Sequence, residues 1–407
     1  MTGAGGLVTG PPRGQRTPDM RIKSVQASWV QIPIAEQHQH VSDFGRLRTF
    51  DAAMLRIETE SGIVGWGEGK NAAGSAGNYN ALVHLLNHEF GPRLIGRDAS
   101  EITPIWEDLY NGARAAGAAA RGHALPELAR RGLTLAAISA VDIALWDIRG
   151  KALDQPIWAL LGGRSAARLP AYASGGWADA AGIGAQLQSY IDAGGFRAVK
   201  MRVGSMDGRP HVSAERVKAA RKALGPDVEL MVDAHGTYTV AEAKRFAHMV
   251  ADCDLAWFEE PVNGDDRAGL AEFRAATSIP VALGESECTR FDFAALVAGR
   301  AVDILQPDPA FCGGITEAMR IAALAAAFNL RLAPHLWAGA PCFFAGLHVV
   351  AAAPAGFIVE FSLGANPMIH HLSRAPVRVV DGLIAVPDGP GLGLDIDTEM
   401  IARYAKS

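Results

Sequence analysis

Three short apolar runs each close on a carboxylate: Asp233 in MVDAHG, Glu259 in WFEEP and Glu285 in ALGES. A single acidic strand end is usually a helix cap or half of a surface ion pair. Three in succession, one strand apart, bring their oxygens together, and carboxylates that close cannot all stay ionised without a counter-charge. A hard divalent cation that keeps several waters, Mg²⁺, supplies one. The pattern predicts one Mg²⁺ per subunit, held by Asp233, Glu259 and Glu285.

Other residues extend this chemistry. Lys200 and Arg202 stand two apart in FRAVKMRV, so on a strand their side chains share a face and point into one cavity. The alternative, a basic pair on a solvated sheet, needs an open strand face, which a parallel barrel does not offer. His335 in APHLW and Asp308 in LQPD end neighbouring runs. A carboxylate there can accept the second imidazole N–H, fixing the tautomer and raising the histidine pKa toward working pH. His235, two residues past Asp233, can contact a substrate hydroxyl, act as a second acid or make a supporting hydrogen bond.

The reaction that suits these groups is removal of a proton from the carbon α to a carboxylate. That proton is a very weak acid, so the enediolate must be stabilised by a metal and by cations already fixed in place, Lys200 among them. Arg202 cannot share the work of a base. With a pKa above about 12, its deprotonation at neutral pH costs about 7 kcal/mol or more.

The elements that must position these side chains follow from the runs themselves. LPAYASG, FRAVKMRV, VELMVDAH, LAWFEEP, IPVALGES, VDILQPD, LRLAPHL and FIVEFS recur between Ala-rich, charge-flanked helical segments. Strands that are apolar throughout and end in Asp, Glu, His or Lys fit a barrel, which buries its strands and collects chemistry at their C-terminal ends. The fold class is therefore α/β, with a (β/α)₈ barrel over 165–362. An α+β capping domain is expected over 20–164, completed by the turn-rich tail 363–407.

Residues 1–19, rich in Gly, Pro and Thr, read as a disordered leader with Met20 as the natural start. They lack the apolar stretch of about 7–15 residues that a secretory signal requires. The longest apolar tract, Phe343 to Val359, is interrupted by His348 and Pro354, so it reads as a buried helix followed by a buried strand, and no membrane span is expected. A net charge of −5 with no basic stripe argues against nucleic acid as a partner. The four cysteines have no C-x-x-C spacing, which suits structural thiols in a reducing, cytoplasmic setting.

On MVDAHG, WFEEP, ALGES, Lys200-x-Arg202, Asp308 and His335, the chain from Met20 onward resembles the enolase superfamily, in its mandelate racemase/muconate lactonizing enzyme branch. The resemblance implies a set of roles. Asp233, Glu259 and Glu285 match metal ligands, Lys200 and Arg202 match a Lys-x-Lys motif, and Asp308 with His335 matches a catalytic dyad. Glu360 matches a residue that hydrogen-bonds the substrate carboxylate, and His235 stands where the family often has Asn. EQHQHVSDFGRLRTF resembles the family's closing loop and offers His38, His40, Arg46 and Arg48 to an anionic polyol. Dimers and octamers are the family's common assemblies.

Arg202 departs from the racemase pattern, which needs a base on each face of the α-carbon. One-base chemistry through His335 is expected instead: dehydration of an aldonic or aldaric acid to a 2-keto-3-deoxy acid. The alternatives are a racemase or epimerase, a sugar-acid lactone cycloisomerase, and a barrel that only binds metal or a partner.

Overall fold

The computed structural model describes residues 18–42, 45–71, 77–112, 120–122, 129–363 and 366–406. The expected leader falls almost wholly outside them. Strands β1 (Ile22–Pro33), β2 (Thr49–Thr59) and β3 (Val64–Gly69) form an antiparallel sheet, with β2 central. Helix α2 (Leu133–Ala152) lies along β3, and α1 (Ile102–Asn111) packs against α2.

The closeness of α2 to β3 is written in glycines. Gly65, Gly67 and Gly69 alternate along VGWGEG and share one face. A Cβ on Gly67 would stand 1.9 Å from the carbonyl oxygen of Ala140, and one on Gly65 2.2 Å from that of Ala144. Helix α2 presents Ala136, Ala140 and Ala144, four apart on one stripe, so backbone meets backbone.

Eight parallel strands follow: β4 (Arg168–Gly175), β5 (Ala198–Arg202), β6 (Glu229–Asp233), β7 (Leu255–Glu259), β8 (Val281–Leu283), β9 (Ile304–Leu305), β10 (Arg331–Leu332) and β11 (Val359–Ser362). Each of β4 to β9 pairs with the next. Strand β11 pairs back to β4 from Val359↔Ala171 to Ser362↔Ser174, and Leu332 bridges Gly356 just ahead of β11, which completes the ring. Helices α3 (Ile183–Gly194), α4 (Pro210–Leu224), α5 (Val240–Met249), α6 (Arg267–Ala275), α7 (Thr289–Ala298), α8 (Gly314–Ala327) and α9 (Ala340–Ala352) alternate with them. The architecture is the expected (β/α)₈ barrel with an α+β cap.

Local rules set where these elements begin. Helix α5 opens on a capping box, in which Thr239 Oγ1 accepts from Glu242 N and the Glu242 carboxylate accepts from Thr239 N. The apolar tract from Phe343 divides between α9 and β11, as its Pro354 requires. Inside the ring Tyr172, Met231, Trp257, Ala282, Ile304 and Ala333 fill the lumen. The barrel is a packed core, and its polar chemistry is confined to the mouth.

The tail adds a hairpin, β12 (Val379–Val380) and β13 (Leu383–Ala385), antiparallel to β4. Among the described residues of the tail, Ala405–Lys406 pair with the capping sheet, on β1. Among the described residues no helix is long and apolar enough to cross a membrane.

Buried hydrogen bonds fasten cap to barrel. Asp142 on α2 accepts from Thr316 N (2.9 Å) and Thr316 Oγ1 (2.5 Å) at the start of α8, where an anion also complements the helix dipole. Glu68 on β3 accepts from the backbone N–H groups of Gly339 (2.6 Å) and Cys342 (3.2 Å) at the start of α9. Burial pushes the Glu68 carboxyl up to about 7, against the pull of those two donors.

Gly67→Ala should destabilise the fold by about 3 kcal/mol or more, since the clash is with backbone, as urea unfolding would report. The raised Glu68 pKa means that the folded chain holds this proton more tightly than the unfolded one. Its contribution is full below the ordinary value of 4.5 and fades as pH rises through about 7, by roughly 3 kcal/mol. Stability relative to Glu68→Gln should therefore fall over that window; a flat difference would show that Glu68 does not titrate this way.

Candidate active site

Strand register assembles the site. Arg202 pairs with Asp233, and Asp233 with Glu259, so three charged residues on successive strands stand abreast at the barrel mouth. Glu285 lies two residues past β8. Gly284 turns the chain there at φ 151°, and a Cβ on it would press within 2.8 Å of Gln306 backbone. Asp233, Glu259 and Glu285 each offer an oxygen, all within 4.8 Å of one another.

The cations that answer these carboxylates are on β5. Lys200, buried, ion-pairs with Glu259, lies 3.2 Å from Glu360 and 3.6 Å from Asp233, and Arg202 lies 2.8 Å from Asp233. Burial would lower the lysine pKa, but Glu259 and Glu360 hold it well above its usual value. Glu259 Oε2 accepts from Trp257 Nε1 (3.0 Å) and Gln306 Nε2 (2.7 Å), which fixes the carboxylate plane. Burial pushes Glu259 up to about 7 even so, against the pull of Lys200 and with Asp233, Glu360 and Glu285 adding to the rise.

Asp233, Glu259, Glu260, Glu285 and Glu360 thus outnumber the fixed cations about them, Lys200, Arg202 and, toward Glu285, Lys70. The excess negative charge and an all-oxygen trio fit a hard divalent cation. A second group, His235, Glu260 and Glu285, meets the same distance condition among the described residues, but its imidazole suits softer metals.

The dyad forms as its spacing suggested. His335 Nδ1 lies 2.9 Å from Asp308 Oδ2, and Nε2 lies 3.4 Å from Glu285 Oε2. Burial and Lys70 lower the His335 pKa, and Glu285, Glu360 and Asp308 raise it further, leaving it above 6.5. His235 Nε2 lies 3.2 Å from Glu285 Oε1, so the two imidazoles flank one carboxylate. His235 and Glu260 hold left-handed backbones at φ 50° and 42°, a strain of order 1–3 kcal/mol each that turns the loops over the cavity. Beside them a cleft of about 700 Å³ is lined by Arg131, His235, Glu260, Asn263, Arg267 and Glu287 among others.

The nine barrel residues singled out in the sequence meet at this mouth. Of the loop residues, His38, Arg46 and Arg48 are exposed, and the side chain of His40 lies outside the described residues. Sequence reasoning missed Lys70, whose ammonium lies 3.2 Å from Asp308 Oδ2 and 3.4 Å from His335 Nδ1. It also missed Trp257, Glu260, Gln306 and Cys342, the last with its thiol 3.3 Å from Asp308 Oδ1. For Lys70 the signal was strand alternation, which puts Trp66, Glu68 and Lys70 on the face opposite the glycines.

A parallel barrel with acidic residues on successive strand ends, lysine on the second strand and a His–Asp pair beyond defines an enzyme of the enolase type. The comparisons agree. Residues 27–162 match the mandelate racemase / muconate lactonizing enzyme N-terminal domain and 182–400 the enolase C-terminal domain-like model; the chain belongs to the mandelate racemase/muconate lactonizing enzyme family of the enolase superfamily. D-galactarolactone cycloisomerase of Agrobacterium fabrum is 36% identical, over 86% of this chain and 90% of its own. Arabinonate dehydratase of Saccharolobus solfataricus is 32% identical, over 86% and 89%. The crystal structure of a racemase from Streptomyces coelicolor A3(2) with bound magnesium superposes with a TM-score of 0.83 at 31% identity, over 95% of this chain and 100% of that one.

If the trio takes a divalent cation, magnesium at 100 times its dissociation constant should stabilise the folded chain by about 3 kcal/mol. Glu285→Gln should lose most of that increment; an equal magnesium response in both chains would move the ion elsewhere.

Proposed function

We propose that the chain is a Mg²⁺-dependent hydro-lyase that dehydrates an aldonic or aldaric acid to a 2-keto-3-deoxy acid. The observation that carries the reading is the pair of imidazoles, His335 and His235, flanking Glu285, where the second strand presents the non-titrating Arg202 beside a Lys200 that Glu259 and Glu360 hold as ammonium. Elimination needs a proton taken from Cα and a proton given to the departing β-hydroxyl, and imidazoles can do both near neutral pH. The arabinonate dehydratase relative supports the same class.

In this reading Asp233, Glu259 and Glu285 hold one Mg²⁺ per subunit, which when bound supplies Lewis acidity at the substrate carboxylate. His335, with Nδ1–H donated to Asp308, takes the α-proton on Nε2. Lys200 sets positive charge where the enediolate develops. Glu360, whose carboxyl Lys200 draws down to about 2 against burial, can donate to the substrate carboxylate only after taking up a proton. The imidazolium of His335, or His235 across Glu285, then protonates the β-hydroxyl, which leaves as water. The enol so formed tautomerises to the 2-keto-3-deoxy acid.

The A. fabrum relative, a cycloisomerase with the highest identity reported above, favours a second reading, an isomerase acting through the same enediolate. A small-molecule carboxylate is the partner under either reading, and a dimer or octamer the assembly.

Proton NMR in D₂O over a panel of sugar acids and lactones tests the proposal. Loss of the β-hydroxyl with a 2-keto product is expected; exchange of the α-proton, or lactone rearrangement without a keto product, would establish the isomerase. His335→Asn should keep fold and metal and lose all turnover, and full activity in that variant would sink the mechanism. His235→Asn should keep α-proton exchange and lose water release if His235 is the acid.

A further inference from the structure

Lys70 is not on the barrel. It follows β3 of the capping sheet, yet its side chain is only 11% exposed and its ammonium sits between the members of the barrel's dyad. Its backbone N–H donates to Ala310 O (3.1 Å), which seats the strand end on the loop that carries Asp308. Glu68, two residues earlier on the same face, grips the start of α9. The cap therefore reaches the dyad along one strand face.

Asp308 is completely buried, and its oxygens are divided between partners. Oδ1 accepts from Ala310 N (2.8 Å) and from the Cys342 thiol (3.3 Å), while Oδ2 faces Lys70 and His335 Nδ1 together. An ammonium only donates. If Lys70 donates to Asp308 Oδ2, His335 Nδ1–H can donate to the same oxygen, and Nε2, 3.4 Å from Glu285 Oε2, is left without a proton on the cavity side. If Lys70 donated to Nδ1 instead, the ring proton would sit on Nε2, and His335 could not take a proton there. The distances, 3.2 Å to the oxygen against 3.4 Å to the nitrogen, favour the first arrangement. Lys70 also gives this buried carboxylate a counter-charge that the imidazole then need not provide.

We infer that Lys70 is a positioning residue, supplied by the capping domain, that anchors Asp308 and so selects the His335 tautomer with a bare Nε2. The inference rests on the reading of His335 as the base. It makes the acid–base pair dependent on a seated cap, because the ammonium comes from the other domain. Lys70 reaches substrate only through the dyad, so its loss should fall on kcat and leave KM nearly unchanged.

The test uses the full-length, magnesium-loaded chain labelled with ¹⁵N-histidine, with the His335 signals assigned through His335→Asn. Lys70→Ala should lower kcat about a hundredfold, as expected for a misplaced base, with partial recovery in added methylammonium. Its His335 ring should shift from the Nδ1–H form toward a mixture. Wild-type kcat, a loss confined to KM, or an unchanged His335 tautomer would overturn the inference. Where Lys70→Ala does not fold, Lys70→Arg and Lys70→Met replace it: activity kept by Arg and lost by Met supports the role, and equal activity in both overturns it. The tautomer measurement needs no substrate. If the wild type turns over no sugar acid, the functional reading fails while the role of Lys70 is still decided.

Discussion

The structure is organised around an excess of buried negative charge at one end of a barrel. Asp233, Glu259, Glu260, Glu285 and Glu360 crowd a mouth where Lys200 and Arg202 are the only cations of β5. In water such a group would separate; held on strand ends by backbone register it cannot, and the repulsion is relieved by ammonium, guanidinium, raised carboxyl pKa values and room for a metal. Under the proposed reading each relief is also a catalytic resource, since fixed positive charge and a bound metal would suit a developing enediolate.

The packed lumen makes that arrangement rigid. Met231 and Trp257 lie two residues before Asp233 and Glu259, and the Trp257 indole turns from apolar filler to hydrogen-bond donor at Glu259. Gln306 completes the pair of donors from the next strand but one. A carboxylate fixed on one oxygen leaves the other to face Lys200, so core packing and site geometry are one set of contacts.

Strand β3 plays the corresponding part in the cap. One face, stripped to glycine, lets α2 approach to backbone distance; the other sends Glu68 and Lys70 into the barrel. Domain docking and dyad geometry thereby share a strand, and a substitution on either face is felt at the other. The family relationship accounts for the barrel and its cap.

The sequence by itself determined the barrel, because eight apolar runs separated by helical segments have few other ways to bury their strands, and their polar ends announce where chemistry gathers. It also pointed to Asp233, Glu259, Glu285, Lys200, Arg202 and the His335–Asp308 pair, which the fold brings together, since strand alternation and neighbouring strand order carry that information locally. The contacts that follow from three-dimensional closure were not legible. No spacing ties residue 70 to residues 308 and 335, or Glu68 to the start of α9, and the two donors on Glu259 depend on which side chains fill the lumen. Likewise, no spacing shows that His235 comes to Glu285 opposite His335. Tertiary structure decided these because they depend on distances across the ring and between domains, which neither residue type nor period along the chain encodes.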